Sequence, residues 1–199
     1  MALVNLTRPT DTPVSLDEAK EQCRIVSSDT NHDTLLLRLI DEATRSIETL
    51  TGARLASQSM RLSLDEFPCG YYSRIELGVY PVNSITSVKY DDADGVETTL
   101  VEDTDYWVNL EGMYPYIQAV TYWPATQYAK PASVRIVMSV GYYIGSPVTA
   151  ACPDDLRHAV LMRVKEYFDN SGESVTGQSV ESTVSSVKAL TDMYRRITV

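Results

Sequence analysis

Between Asn31 and Gly52 the apolar residues Leu36, Ile40, Ala43, Ile47 and Leu50 recur at steps of four, three, four and three. That spacing lays all five on one stripe of an α-helix. Asp33 in the first turn suits the positive end of the helix dipole, and Gly52 is the residue type that most readily adopts a left-handed C-cap. Such a helix cannot stand alone. Ordering its backbone costs about 1–2 kcal/mol per residue, while each buried side chain of the stripe returns about 1.5–3 kcal/mol. Two partners are legible. Ser15 and Glu18 form an S-x-x-E capping box that opens a short helix over Leu16 to Ile25, and a polar hinge, Val26 to Thr30, folds it back as a helical hairpin. Pro153, followed by Asp154 and Asp155, opens a third helix whose Leu156, Val160, Val164 and Tyr167 share one face until Asn170-Ser171-Gly172 stops it.

After Gly52 the period changes from 3.6 to 2. Alternation predicts strands over Gln58 to Leu64, Ser73 to Val79, Ser84 to Tyr90, Val96 to Val101 and Val134 to Val140. Asp94-Gly95 lies between two of them and predicts a hairpin, since glycine accepts positive φ. Prolines 68, 81, 115, 124, 131 and 147 fall at strand ends or in loops, which suits short strands. Residues 1–14 read as an irregular lead-in. The fold class expected is α+β: a helical core made of both chain ends, residues 1–55 and 148–172, with an antiparallel β lobe inserted at 56–147 and an arm at 173–199. Within that arm 173–186 reads as extended, and Val187, Leu190, Tyr194 and Ile197 align on a last short helix.

At 199 residues and 44% hydrophobic, such a chain buries about 70% of its unfolded surface. No apolar run reaches the roughly 20 residues of a membrane span, and the opening MALVNLTRP is too short and polar for a signal peptide, so a cytoplasmic protein that binds no membrane is expected. Cys23, Cys69 and Cys152 are odd in number and far apart, which points to buried thiols rather than disulfides or a zinc cage. The formal charge of -10, from 27 acids and 17 bases, argues against a grip on nucleic-acid phosphates, which takes clustered Lys and Arg.

The sequence offers little catalytic chemistry, and no enzyme, metal site or cofactor is expected. Nine glycines occur without a phosphate-loop or dinucleotide spacing, and Gly177-Gln178-Ser179-Val180-Glu181 lacks the last glycine of a nucleophile elbow. His32 and His158 have no second histidine at metal-ligand spacing. With Gly95 at the sixth position of a calcium loop, Tyr90 and Val101 stand where its first and last carboxylates belong. Asp65-Glu66 or Asp103 with Asp105 could act as the acid and base of a glycoside hydrolase, although acids are common in this chain. Eleven of the thirteen tyrosines and both tryptophans fall between Tyr71 and Tyr143. They are compatible with a well-packed sheet, with a protein interface or with sugar stacking, and Trp107, Trp123 and Tyr142 are the candidate interface aromatics.

Several landmarks occur in one order. Pro13-Val14-Ser15-Leu16-Asp17-Glu18-Ala19-Lys20, Ile47-Glu48-Thr49-Leu50-Thr51-Gly52, Gln58 and Asp65-Glu66-Phe67-Pro68 are followed by Pro81-Val82-Asn83-Ser84-Ile85-Thr86-Ser87-Val88, Tyr90 and Asp94-Gly95. Asp105-Tyr106, Trp123-Pro124, Gly141-Tyr142 and the helix opened by Pro153 complete the series. Together they resemble the head-tail connector (adaptor) proteins of tailed bacteriophages, in their longer members with a β insertion. The resemblance runs from about residue 13 to 170; beyond Gly172 only Leu190 and Tyr194-Arg195 are similar to the family's closing helix. It implies a structural protein of phage or prophage, assembled in the host cytoplasm and then held in the virion as a ring of about twelve copies. The implied partners are further copies of the chain, the portal protein and a tail-side stopper or completion protein, with double-stranded DNA passing through unbound. It also implies that Leu190, Tyr194, Arg195 and Arg196 are candidates for docking the arm to the portal. The acidic charge suits a conduit that must not hold its passenger. The alternative from another class is a carbohydrate- or protein-binding module that uses the aromatic lobe.

Overall fold

The computed structural model describes residues 2–7, 9, 11–142, 152–170 and 186–197. The chain divides into two compact units, Met1–Pro9 with Ser57–Gly141, and Thr10–Ala56 with Tyr142–Val199.

The second unit is helical. Its elements are α1 (Leu16–Cys23), α2 (Asp33–Thr51), α3 (Asp154–Asp169) and a closing turn of helix at 186–191 that tightens to a 3₁₀ turn at Asp192–Tyr194. The capping box forms: the Glu18 amide donates to Ser15 Oγ and the Ser15 amide to Glu18 Oε2. Arg24 ends α1 in the left-handed region, and Gly52 ends α2 there at φ +78°. Lys20, almost wholly buried, spans the hinge with its ammonium 2.6 Å from Asp33 and 3.2 Å from the Ser27 carbonyl. Leu36, Ile40, Ala43 and Ile47 are fully buried, as are Leu156, Ala159, Val160 and Val164 of α3, which packs on both α1 and α2.

Leu50 corrects the stripe. It is 43% exposed, and Thr51, one position on, is buried in its place with its hydroxyl donating to the Ile47 carbonyl. Leu50 lies on the side of the helix that carries the buried Leu39, so its exposure comes from what covers the last turn and not from the angle of the stripe. Ile197 departs likewise: the closing helix ends before it, and it lies exposed. The extended reading of 173–186 lies, except for its last residue, outside the described residues.

The first unit is antiparallel β. One sheet has the order β1 (Ala2–Asn5), β2 (Gln58–Leu64), β8 (Val134–Val140), β4 (Val82–Asp91), β5 (Glu97–Leu100), and a second has β3 (Arg74–Glu76), β7 (Tyr116–Ala119), β6 (Tyr106–Asn109). The lead-in is therefore not irregular throughout. Residues 2–5 pair with β2, Leu3 opposite Leu62, a pairing across more than fifty residues that four residues of sequence could not announce. β8 is central, with Met138 opposite both Met60 and Ile85. Met60, Leu62, Leu77, Val88, Ile117, Ile136 and Met138 form one core shared by the two sheets.

Candidate assembly surfaces

Register decides which residues of the smaller sheet face outward. Residues directly opposite in antiparallel strands share a face. Trp107, Gln118 and Arg74 make one row across β6, β7 and β3, and Asn109, Tyr116 and Glu76 make the next. Ile75, Ile117 and Val108 alternate with them and point into the core. Every side chain on the outer face thus ends in a planar polar or aromatic group. They hold one another: the Arg74 guanidinium lies 4.6 Å over the Tyr116 ring, its Nε donates to Gln118 Oε1 at 3.2 Å, and Asn109 Nδ2 donates to the Tyr116 hydroxyl at 3.4 Å.

Beside Trp107 the loops add three more rings. Tyr72 stacks on Trp107 with 6.3 Å between centroids, Tyr71 meets Tyr72 at 4.0 Å, and Tyr122 meets Tyr71 at 4.9 Å. Tyr72 sits at φ +54°, a conformation costly for a bulky residue, and its amide donates to the Thr121 carbonyl. Trp107 is 44% exposed and Tyr122 64% exposed, with Tyr71 and Tyr72 also open to solvent. The other two candidate aromatics lie elsewhere. Trp123 is half-buried, stacked on Phe67 at 4.8 Å and 2°, with Nε1 donating to the Ser73 carbonyl, so it closes the edge of the core instead of offering a surface. Tyr142 belongs to the helical unit, where its amide donates to the Arg54 carbonyl and burial pushes its phenol up to about 12.

A second surface lies on the helical unit. The closing segment folds back on α2: Val187 is fully buried, the Arg196 amide donates to the Thr51 carbonyl at 2.8 Å, and the Tyr194 hydroxyl donates to Asp155 at 3.3 Å. Gly52 makes room for this, since a Cβ there would come 3.3 Å from the Arg196 Cβ. Of the four candidate docking residues, Leu190, Tyr194 and Arg196 are half-buried and Arg195 is exposed. Arg195, Lys188 and Arg163 line a groove of about 230 Å³ with Thr49, Leu50, Thr191 and Asp192. That groove gives the displaced Leu50 a setting.

Two of the carboxylates considered for acid–base chemistry, and one at the hairpin tip, accept hydrogen bonds from backbone amides. Asp65 accepts from the Ala132 amide, Asp105 from the Val101 amide, and Asp92 from the amides of Asp94 and Val96 across the hairpin tip. Among the described residues no three His, Cys, Asp or Glu side chains are placed to hold a metal. No described helix is long and apolar enough to cross a membrane. Burial pushes the Cys152 thiol up to about 12, far from a reactive thiolate.

Residues 13–93 match the family described as phage gp6-like head-tail connector protein. Over those residues the chain is similar to the head-tail connectors. The fold extends the likeness over the whole chain. A chain from the virion of a native gene transfer agent (GTA) particle superposes with a TM-score of 0.77 at 23% identity, covering 100% of this chain and 97% of that one. Chains from the neck of the empty particle, with C6 symmetry, and of the native particle, with C12 symmetry, give TM-scores of 0.75 and 0.73 at 24% and 23% identity, with the same coverage. No curated protein matches the sequence. The family match over 13–93 and the fold shared with chains of a gene transfer agent particle are two separate likenesses.

Proposed function

We propose that the chain is a head-tail connector that forms a closed ring beneath the portal of a tailed phage, prophage or gene transfer agent particle and joins the DNA-filled head to the tail. The match of residues 13–93 to the connector family carries this reading. Ring subunits need two different surfaces that meet by rotation, and the exposed aromatic platform of the β unit is suited to be one of them. A neck structure of C12 symmetry with this fold supports twelve copies. The net charge of -10 lets duplex DNA pass, since phosphate contacts require clustered cations. Assembly takes place in the host cytoplasm, and the finished ring belongs to the virion.

The closing segment is assigned to the portal. Tyr194 and Arg196 anchor it to the helical unit, which leaves Arg195 and Lys188 exposed as the groups a portal surface can meet. The tail-side face is then free for a stopper or completion protein.

Native mass spectrometry across a concentration series, with negative-stain imaging of the same samples and of samples mixed with purified portal, tests the ring. Closed rings of about twelve copies with an open centre are expected. A chain that stays monomeric alone and leaves the portal undecorated overturns the reading.

A further inference from the structure

Each copy of the chain carries a formal charge of -10. In a ring every copy has two neighbours of the same charge, and that repulsion is strongest where copies touch. A contact between copies therefore favours a surface where the charge is locally cancelled and where apolar area is left uncovered.

The outer face of β3, β7 and β6 meets both conditions. Its two charged members, Arg74 and Glu76, are of opposite sign and stand on the same strand. The remaining members, Trp107, Gln118, Asn109 and Tyr116, are neutral, and so are Tyr71, Tyr72 and Tyr122 beside them. Four exposed rings in mutual contact form a continuous aromatic patch, and Tyr and Trp supply large contact area at low entropic cost because only two side-chain torsions must be fixed. The ring-on-ring contacts and the Arg74–Gln118 and Asn109–Tyr116 hydrogen bonds fix the patch before any partner arrives, which lowers the ordering cost of binding.

We infer that this platform is the subunit contact of the ring: Trp107, Tyr72, Tyr71 and Tyr122 of one copy pack against a different surface of the next copy of the same chain. The inference rests on the ring reading and adds to it the place where copies meet. Trp107 and Tyr122 are its anchors, because they are the rings of the cluster joined to the rest from either end.

The contact makes two demands that can be measured. Truncating two anchors, Trp107→Ser with Tyr122→Ser, raises the dissociation constant between copies about 30-fold or more, the scale of a hot-spot loss, with an unchanged thermal melt. Tyr122→Glu at a loop position repeats the test without altering a strand and weakens assembly again. Tyr128→Ser, on another exposed loop, leaves assembly as it was. Raising salt from about 0.01 M to about 0.15 M shortens the screening length from about 30 Å to about 8 Å and strengthens assembly, because it screens the like charges and takes nothing from an uncharged contact.

Native mass spectrometry with sedimentation of the full chain reads all of this. Rings in the wild type that persist in the Trp107→Ser/Tyr122→Ser and Tyr122→Glu variants overturn the patch while the ring stands. Rings that loosen as salt rises also overturn it, since they are held by ion pairs. A wild-type chain that forms no ring alone or on portal overturns both.

Discussion

The carboxylate of Asp91 and the guanidinium of Arg135 meet fork to fork, with Nη1 2.8 Å from Oδ2 and Nη2 2.8 Å from Oδ1, across 44 residues of sequence. Lys130 adds a third cation contact to the same carboxylate at 2.8 Å, and Arg135 also reaches Glu97 at 2.9 Å. Asp91 ends β4 and Arg135 lies on β8, so the pair pins the hairpin to the central strand. These hydrogen bonds hold the Asp91 carboxyl well below the usual carboxylate range.

A depressed folded-state pKa means stability that is complete above the unfolded value, near 3.8, and is lost as pH falls through the folded one. Asp91→Asn removes the linkage. Its thermal midpoint lies below wild type at pH 7, and the gap narrows only below about pH 4. Calorimetry at a series of pH values checks it; a gap that stays constant down to pH 2 would mean that Asp91 is not the group that titrates.

Glu48 carries the opposite sign. Burial, the largest influence, raises its carboxyl although the Leu55 amide at 2.8 Å and Arg54 at 3.3 Å favour the charged form. Its contribution is complete below the unfolded value and declines as pH rises through the folded one. Carbon-detected NMR titration is expected to place Glu48 above the free-peptide glutamate value of about 4.3; a midpoint below that value would contradict the burial.

In the helical unit, Ile40 is fully buried. Ile40→Ala is expected to cost about 2–5 kcal/mol, and Ile40→Asp to abolish folding because it leaves an unpaired charge in the core. A soluble, cooperatively unfolding Ile40→Asp protein in urea titration would refute the placement of the stripe.

The two tryptophans separate structure from surface. Trp123→Ala removes the Phe67 stack and the bond to Ser73 and is expected to cost about 3 kcal/mol, whereas Trp107→Ala stays within about 0.5 kcal/mol of wild type in urea denaturation. Equal losses would show that Trp107 is part of the core edge.

On the closing segment proposed to meet the portal, Arg195→Glu is expected to reduce attachment to DNA-filled heads at least tenfold while moving stability by no more than about 0.5 kcal/mol. Head-binding assays beside thermal melts decide it. Truncation of the whole segment is a poorer test, because Val187 is buried and the Arg196 amide caps Thr51.

Where local chemistry sufficed, the sequence foretold the fold closely. The Ser15–Glu18 box, the Gly52 cap and the bounds of β2 and β8 are set by neighbours in the chain. The strand expected over Ser73 to Val79 shrank to Arg74–Glu76, and β1, β6 and β7 went unread. Strands of three or four residues have too little alternation to register, and their partners are distant. Leu50 failed because the cover over the last turn of α2 is set by distant chain segments, which the periodicity of the helix does not report. Trp107 and Trp123 are alike as residues; only the partner each stacks on, Tyr72 or Phe67, tells a surface from a core edge. The contribution of Gln118 and Arg74 to the platform depends wholly on register and has no signature in the sequence.

The two units exchange chain segments: one takes residues 1–9 and 57–141, the other 10–56 and 142–199. On a ribosome this sets an order. The nascent helical hairpin must wait, incomplete, while the whole β insertion is synthesised, and the amino-terminal strand waits with it for β2. The β unit is finished first, when Gly141 emerges, and only then can α3 arrive to cover Leu36 and Ile40. No single cut in the chain releases either unit intact, so trimming of the gene from either end cannot yield a minimal half-protein, and a single crossover at any segment border splits at least one unit between two parents.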